Sequence, residues 1–146
     1  LKTRYLKIRI LPTYRLIELC QQLNRPFVLV GGPEDAERGE EIIKATSLGL
    51  NACGKLSLIQ SALLVKGAHF VVSHDTGMMH ISAALKKKIY SVWGNTAPAF
   101  GMVPYLPDPT SVMLENKDLG CRPCSKIGYA KCPRGHFKCM TDIKFE

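Results

Sequence analysis

The chain is predicted to fold as an α/β protein, a Rossmann-like parallel sheet with helices on both faces. Three observations predict this. Short apolar runs of four or five residues, such as Phe27-Val28-Leu29-Val30 and Ile89-Tyr90-Ser91-Val92-Trp93, recur along the chain. Such runs suit strands buried on both faces of a parallel sheet. Segments with apolar residues at helical spacing separate them, the alternation expected of a sheet covered by crossover helices. Finally, most runs stop at glycine or a small polar turn, as strands do where they leave a sheet.

The elements follow in order. Leu16, Ile17, Leu19, Cys20 and Leu23 predict a helix opened by Thr13 as cap and closed by Asn24-Arg25-Pro26. A strand over 27–30 ends at Gly31-Gly32-Pro33, and a charged surface helix over 34–45 turns Ala36, Ile42 and Ile43 inward. Acids in its first turn suit the helix dipole. Residues 48–53 supply a short strand. Ser57 caps a helix through Leu58, Ile59, Ala62, Leu63 and Leu64, and a strand over 69–73 follows. A helix over 77–85, a strand over 89–93, a loop with Pro98, Pro104, Pro107 and Pro109, and a strand over 111–114 complete the pattern. Right-handed crossovers would put the turns at Gly31-Gly32, Gly54, Asp75-Thr76-Gly77 and Gly94-Asn95-Thr96 on one edge of a single sheet.

A chain of 146 residues, 46% apolar and 22% charged, has an ordinary globular composition. At that length folding buries roughly 68–70% of the extended-chain surface. Lys66 and Lys86-Lys87-Lys88 break the apolar runs well short of the ~20 residues of a membrane span. The first ten residues lack a signal-peptide core. The chain begins with leucine, so a piece of a longer or processed protein is expected. Its net charge of +8 is uneven: residues 1–26 carry +5, residues 121–146 carry +4, and the middle carries −1. Basic ends of this kind suit anionic lipid headgroups, a phosphorylated sugar or nucleic acid. No helix-turn-helix, RNA-reading aromatic pair or zinc-finger helix accompanies the charge, so nucleic acid is not an expected partner.

The densest cluster of site chemistry is His74-Asp75-Thr76-Gly77-Met78-Met79-His80, between a strand and a helix. Open α/β sheets bind ligands beyond the carboxyl ends of their strands. Thr76 and Gly77 would open the helix with N–H groups aimed at an anion. Asp75 has a plainer reading as a helix cap, and His80 one as a packing residue. His69 has no evident partner and reads as structural. Gly31-Gly32-Pro33-Glu34-Asp35 matches neither a dinucleotide fingerprint nor a P-loop. It is either a plain turn or a nucleoside pocket where Glu34 or Asp35 accepts hydrogen bonds from ribose. The tail reads C-x2-C-x7-C-x3-H-x2-C through Cys121, Cys124, Cys132, His136 and Cys139. Four of these five could close a structural zinc site. Two disulfides or reduced thiols are the other readings, while Cys20 and Cys53 look like small core hydrophobes.

Several segments together carry a likeness. They are Leu11-Pro12, Val30-Gly31-Gly32-Pro33-Glu34-Asp35, Cys53-Gly54-Lys55, Asp75-Thr76-Gly77 with Met79-His80 and Ala83-Ala84-Leu85, and Trp93-Gly94-Asn95-Thr96 with Pro98. The tail Gly135-His136-Phe137-Lys138-Cys139-Met140 adds to them. In order and spacing the chain resembles the C-terminal, donor-binding half of the bacterial lipopolysaccharide heptosyltransferases, ADP-heptose-using enzymes of GT-B architecture. The resemblance implies that Thr76 and Gly77 bind the donor diphosphate and that Asp75 lies near the sugar. It places Glu34, with Gly32 and Asp35, at the ribose. Arg9 or Lys7 stands nearest the lysine the family usually carries, and Met78 stands where proline is common. Lys55, Met79, His80, Asn95 and Thr96 would line the site.

The resemblance further implies a donor-binding domain over 1–118 with a cysteine-rich tail over 119–146. The catalytic base and the lipopolysaccharide core acceptor site would belong to an N-terminal domain not present in this chain. The chain alone would then bind ADP-heptose, or a related nucleotide sugar, weakly and turn over none. No cofactor would be required for catalysis, although a structural zinc would fit the tail. The expected location is cytoplasmic, at the inner face of the inner membrane. The alternative function is a non-catalytic nucleotide-binding module with a zinc-stabilised docking tail.

Overall fold

A computed structural model describes residues 10–126, 128–129 and 131–145. The chain divides into two compact units, one over Pro12–Leu63 and one from Leu64 onward that also takes in Leu11.

In the first unit, helix α1 (Thr13–Leu23) starts because Pro12 has a fixed φ and no N–H to waste. The Pro12 carbonyl accepts the N–H groups of Arg15 and Leu16 at 3.0 and 3.1 Å. Thr13 is therefore the first helical residue and not the cap, and its hydroxyl instead accepts Arg38 Nε at 3.1 Å. Asn24 ends the helix in the left-handed region with its N–H on the Cys20 carbonyl. Strand β1 (Phe27–Leu29) leads through a 3-10 turn (Pro33–Asp35) into α2 (Ala36–Thr46) and then β2 (Gly49–Asn51). The two strands are parallel, with Phe27 opposite Gly49 and Leu29 opposite Asn51. Of the three α2 residues expected to turn inward, Ile42 is fully buried. Helix α2 comes close to β2 at Gly39, where a Cβ would fall 2.4 Å from the Asn51 side chain.

Helix α3 (Leu58–Gly67) opens as expected at Ser57. The Ser57 hydroxyl accepts Gln60 N–H at 3.3 Å, and the Gln60 side chain accepts Ser57 N–H at 2.8 Å. This is a reciprocal capping box. The second unit continues with β3 (Phe70–His74), α4 (Gly77–Ala84), β4 (Lys88–Trp93), a 3-10 turn (Pro98–Phe100), β5 (Val112–Glu115) and α5 (Lys138–Thr141). Its three strands are parallel in the order β3-β4-β5. The central strand is the most buried, with Ile89, Ser91, Val92 and Trp93 all inside. Ile89 and Trp93 join Met79 and Ala83 of α4 in the core, flanked by Met102 and Val103.

Parallel strands with flanking helices are the predicted fold class. The described residues differ from the expectation of one sheet, because they form a sheet of two strands and a sheet of three. Residues 5–10, which would have to supply the first strand of the family's donor-binding half if this chain contains it, lie outside the described residues except for Ile10. Boundaries moved by one to three residues, with β2 reduced to Gly49–Asn51, and helix α5 carried no periodic signal. The polar turns nonetheless follow strand ends within each unit. Gly31-Gly32 and Gly54 follow the carboxyl ends of β1 and β2, while Asp75-Thr76-Gly77 and Gly94-Asn95-Thr96 follow those of β3 and β4.

Candidate functional site: the polar turns at the strand ends

The end of β3 is fixed by a chain of hydrogen bonds. Leu11 N–H donates to His74 Nε2 at 3.0 Å, which places the proton of a neutral ring on Nδ1. Ser73 Oγ lies 3.0 Å from the His74 carbonyl and 3.2 Å from Thr76 Oγ1. Thr76 is the extended N-cap of α4, yet its side chain makes no capping bond. Met79 N–H turns back to the Thr76 carbonyl at 3.1 Å, so the helix start presents the N–H groups of Gly77 and Met78. Among the described residues, a Cβ at Gly77 would meet nothing within 4 Å. A hydroxyl, exposed N–H groups and the positive end of a helix dipole are chemistry for an anion. Asp75 is buried beside them, and because Thr76 holds the cap position, the reading of Asp75 as a helix cap does not apply.

The other candidates of this unit separate. Met79 has no exposed surface and fills the core, so packing accounts for it and it does not line a site. His80 is exposed on α4, and His69 is exposed ahead of β3. Asn95 and Thr96 are each 1% exposed in the turn after β4. Arg122 grips that turn: its guanidinium donates to the carbonyls of Gly94, Thr96 (3.0 Å) and Asn116 (2.8 Å) and pairs with Glu115 at 3.1 Å. Sequence reasoning missed both Ser73 and Arg122. Arg122 lies 28 residues from Gly94 and reads in sequence as one more basic residue of the tail.

In the Pro12–Leu63 unit, Gly32 N–H donates to Asp35 Oδ2 at 3.2 Å. This ties one acid to the backbone of the turn, while Glu34 stays exposed. Gly54 seals the turn from the neighbouring strand, with its N–H on the Gly31 carbonyl at 2.9 Å. Its φ is +72°, and a Cβ there would lie 2.8 Å from Pro33 Cα, so glycine is required twice over. Lys55 donates to the Asn51 carbonyl at 2.9 Å and lies 4.0 Å from Glu40, although it remains largely exposed. Lys7 and Arg9 lie outside the described residues.

The tail carries four reduced thiols. Cys121 Sγ is 3.8 Å from His136 Nε2, and Cys124 donates to the Cys121 carbonyl at 3.2 Å. Burial, with the neighbouring thiols Cys124 and Cys132, pushes the Cys139 thiol up to about 11. At Cys132 burial also pushes upward, but backbone N–H groups of Phe137, Arg134, Gly135 and His136 outweigh it and hold the thiol below its ordinary value. Among the described residues no three histidine, cysteine, aspartate or glutamate side chains are arranged to hold a metal ion. The geometry therefore lends the zinc expectation no support. Cys20 and Cys53 are buried, and burial pushes both thiols up, as suits small core hydrophobes.

Parallel strands, crossover helices and polar turns at strand ends define an open α/β protein, a class in which ligands bind beyond the carboxyl ends of the strands. The family model of glycosyltransferase family 9 (heptosyltransferase) matches residues 12–131, and the chain belongs to this family. It is 32% identical over 97 residues to lipopolysaccharide heptosyltransferase 2 of Escherichia coli, covering 61% of this chain and 28% of the relative. Lipooligosaccharide heptosyltransferase 2 of Haemophilus influenzae is 28% identical over 142 residues, covering 90% of this chain and 39% of that one. Among solved structures, E. coli ADP-heptose lipopolysaccharide heptosyltransferase II superposes with a TM-score of 0.66 at 25% identity, over 77% of this chain and 35% of that chain. E. coli heptosyltransferase WaaC with ADP gives 0.63 at 28% identity, over 73% and 33%. The chain thus spans well under half the length of these relatives.

Proposed function

We propose that this chain is the donor-binding part of a heptosyltransferase that moves heptose from ADP-heptose, or a closely related nucleotide sugar, to the lipopolysaccharide inner core. The observation that carries the reading is the β3–α4 turn, where an uncapped helix start and a Ser73-held Thr76 hydroxyl offer the groups an anion would meet, in a family of sugar transferases. Solved relatives named with ADP and with ADP-2-deoxy-2-fluoro heptose support a nucleotide sugar as the ligand.

In this reading Thr76 and the N–H groups of Gly77 and Met78 meet the donor diphosphate, and Asp75 meets the sugar. Glu34, with Gly32 and Asp35, is assigned to the ribose, and Arg9 or Lys7 to the phosphates. As the glycosidic bond breaks, negative charge grows on the departing diphosphate. Fixed N–H dipoles already aimed at it stabilise that charge without having to reorganise. The acceptor hydroxyl must give up a proton to a general base. That base and the core acceptor site are assigned to the larger share of the relatives' length that this chain does not span. The scheme calls on no cofactor.

Calorimetric titration of the chain with ADP, ADP-heptose, a UDP-sugar and a short oligonucleotide tests the proposal. Binding selective for the adenine nucleotides, weakened about tenfold by Thr76→Val through loss of one charge-assisted hydrogen bond, is expected. Equal binding of the UDP-sugar, or salt-sensitive binding of the oligonucleotide alone, would defeat it. Heptose transfer by the chain on its own would defeat the assignment of the base.

A further inference from the structure

Within the unit that carries the β3–α4 turn, the turn after β4 has an unusual division of its hydrogen bonds. Three consecutive carbonyls are all taken by the tail. Arg122 Nε donates to Gly94 O, Cys124 N–H donates to Asn95 O at 3.0 Å, and Arg122 Nη2 donates to Thr96 O at 3.0 Å. The Arg122 side chain is only 5% exposed and is braced by Glu115 and the Asn116 carbonyl. The cysteine-rich tail is thus a brace for a strand-end turn. In the middle of the braced turn, Asn95 is 1% exposed, and neither its Oδ1 nor its Nδ2 has a hydrogen-bond partner among the described residues. Buried side-chain polar atoms are overwhelmingly paired in folded proteins. An amide with both ends unpaired inside a rigidly held backbone points to a group from outside the chain.

We propose that the Asn95 carboxamide is a specificity-determining contact for a hydroxyl of the nucleotide-bound sugar, and that Arg122 is the positioning residue that holds it there. This rests on the donor-binding reading above. The chemistry selects the ligand group. A carboxamide offers both donors and an acceptor. A phosphate oxygen at neutral pH mainly accepts, whereas a sugar hydroxyl both donates and accepts, as Asn95 does. The position agrees, because β3 and β4 are adjacent and in parallel register, with His74 opposite Val92. The Asn95 turn therefore follows the strand next to the one that ends in the diphosphate turn, and in a nucleotide sugar the sugar is bonded to the diphosphate.

The test exploits a sign that a structural role would not give. Replacing an unpaired buried amide by an apolar group of similar shape leaves stability unchanged or raises it. Asn95→Leu in the full chain should therefore melt at or above the wild-type temperature. It should bind ADP-heptose about tenfold more weakly, while ADP affinity changes by about twofold at most. Arg122→Lys, which keeps the charge but loses the fork, should erode the same ADP-heptose preference. In the Asn95→Leu background it should change that preference no further, because it acts through Asn95. Asn95→Ser supplies the same readout if the leucine variant fails to fold. An unchanged ratio of ADP-heptose to ADP affinity in these variants would overturn the proposal and leave a buried water as the amide's partner. Equal losses for both ligands would overturn it in favour of a purely structural turn. Failure of the wild-type chain to bind ADP at all would instead remove the donor-binding reading, and this proposal with it.

Discussion

Met79 and Thr76 sit three residues apart, one packed in the core and the other at the start of α4 with no capping bond from its side chain. Met79 is fully buried against Ala83, Ile89 and Trp93. Met79→Ala should therefore lower the unfolding free energy by about 2–5 kcal/mol, the range for emptying a core site. Denaturant unfolding followed by the fluorescence of Trp93, the single tryptophan, would read it. An unchanged midpoint would mean that the core is not where the structure puts it. The thiols make a second prediction at this scale. Because burial raises Cys139 to about 11 while backbone N–H groups hold Cys132 low, alkylation of the metal-free reduced chain should mark Cys132 first and Cys139 last. The sign for stability follows. A thiol whose value rises on folding favours the native state fully below its ordinary value near 9.0, and that contribution is lost as pH rises toward about 11. Elemental analysis decides the zinc expectation, which metal-free protein with an ordered tail would remove. A full equivalent, lost in Cys121→Ser, would revive the metal reading.

At the scale of elements, Asn51 ties α2 to β2 through its hydrogen bonds. Asn51 donates to the Ala36 carbonyl at 2.9 Å and to Glu40 at 2.8 Å, and it accepts Cys53 N–H at 3.1 Å. Its amide is therefore satisfied on both ends. Asn51→Ala would strand the groups it serves and should cost about 1–3 kcal/mol, measurable as a lower melting temperature. The turn after β2 is a separate constraint. Gly54→Ala meets both a positive φ and the Pro33 backbone, so a loss of more than about 1 kcal/mol is expected. A melting temperature equal to that of the wild type would show that the turn relaxes freely. These joints were only partly legible in the sequence. Glycine at 54 announced a turn, but nothing local marked Asn51 as the residue that would meet α2.

For the whole molecule, charge gives a prediction that no single element does. No helix among the described residues is long and apolar enough to cross a membrane. Residues 1–26 and 121–146 carry most of the positive charge. Contact with anionic lipid headgroups would be through that charge and should fade as salt rises, since screening acts over about 8 Å at physiological ionic strength. Co-sedimentation with anionic vesicles that persists unchanged in high salt would point to an apolar surface instead.

The fold class and the location of the polar turns were written in the sequence, for a physical reason. A strand buried on both faces must be apolar along its whole length, and it must end where glycine or a small polar residue lets the chain leave the sheet. The β3–α4 turn was legible because its hydroxyl, glycine and helix start are neighbours in the chain. What joins distant residues was decided only by tertiary structure. Met79 became core because α4 lays it against β4, a contact that the spacing alone did not distinguish from a site position. Arg122 became the brace of the 94–96 turn because the chain returns across 28 residues to bring a guanidinium to carbonyls that carry no side-chain signature. The thiol tail followed the same rule. Its spacing permitted a metal, but whether ligands converge on one point depends on where the backbone takes them, and among the described residues no three are arranged to hold an ion.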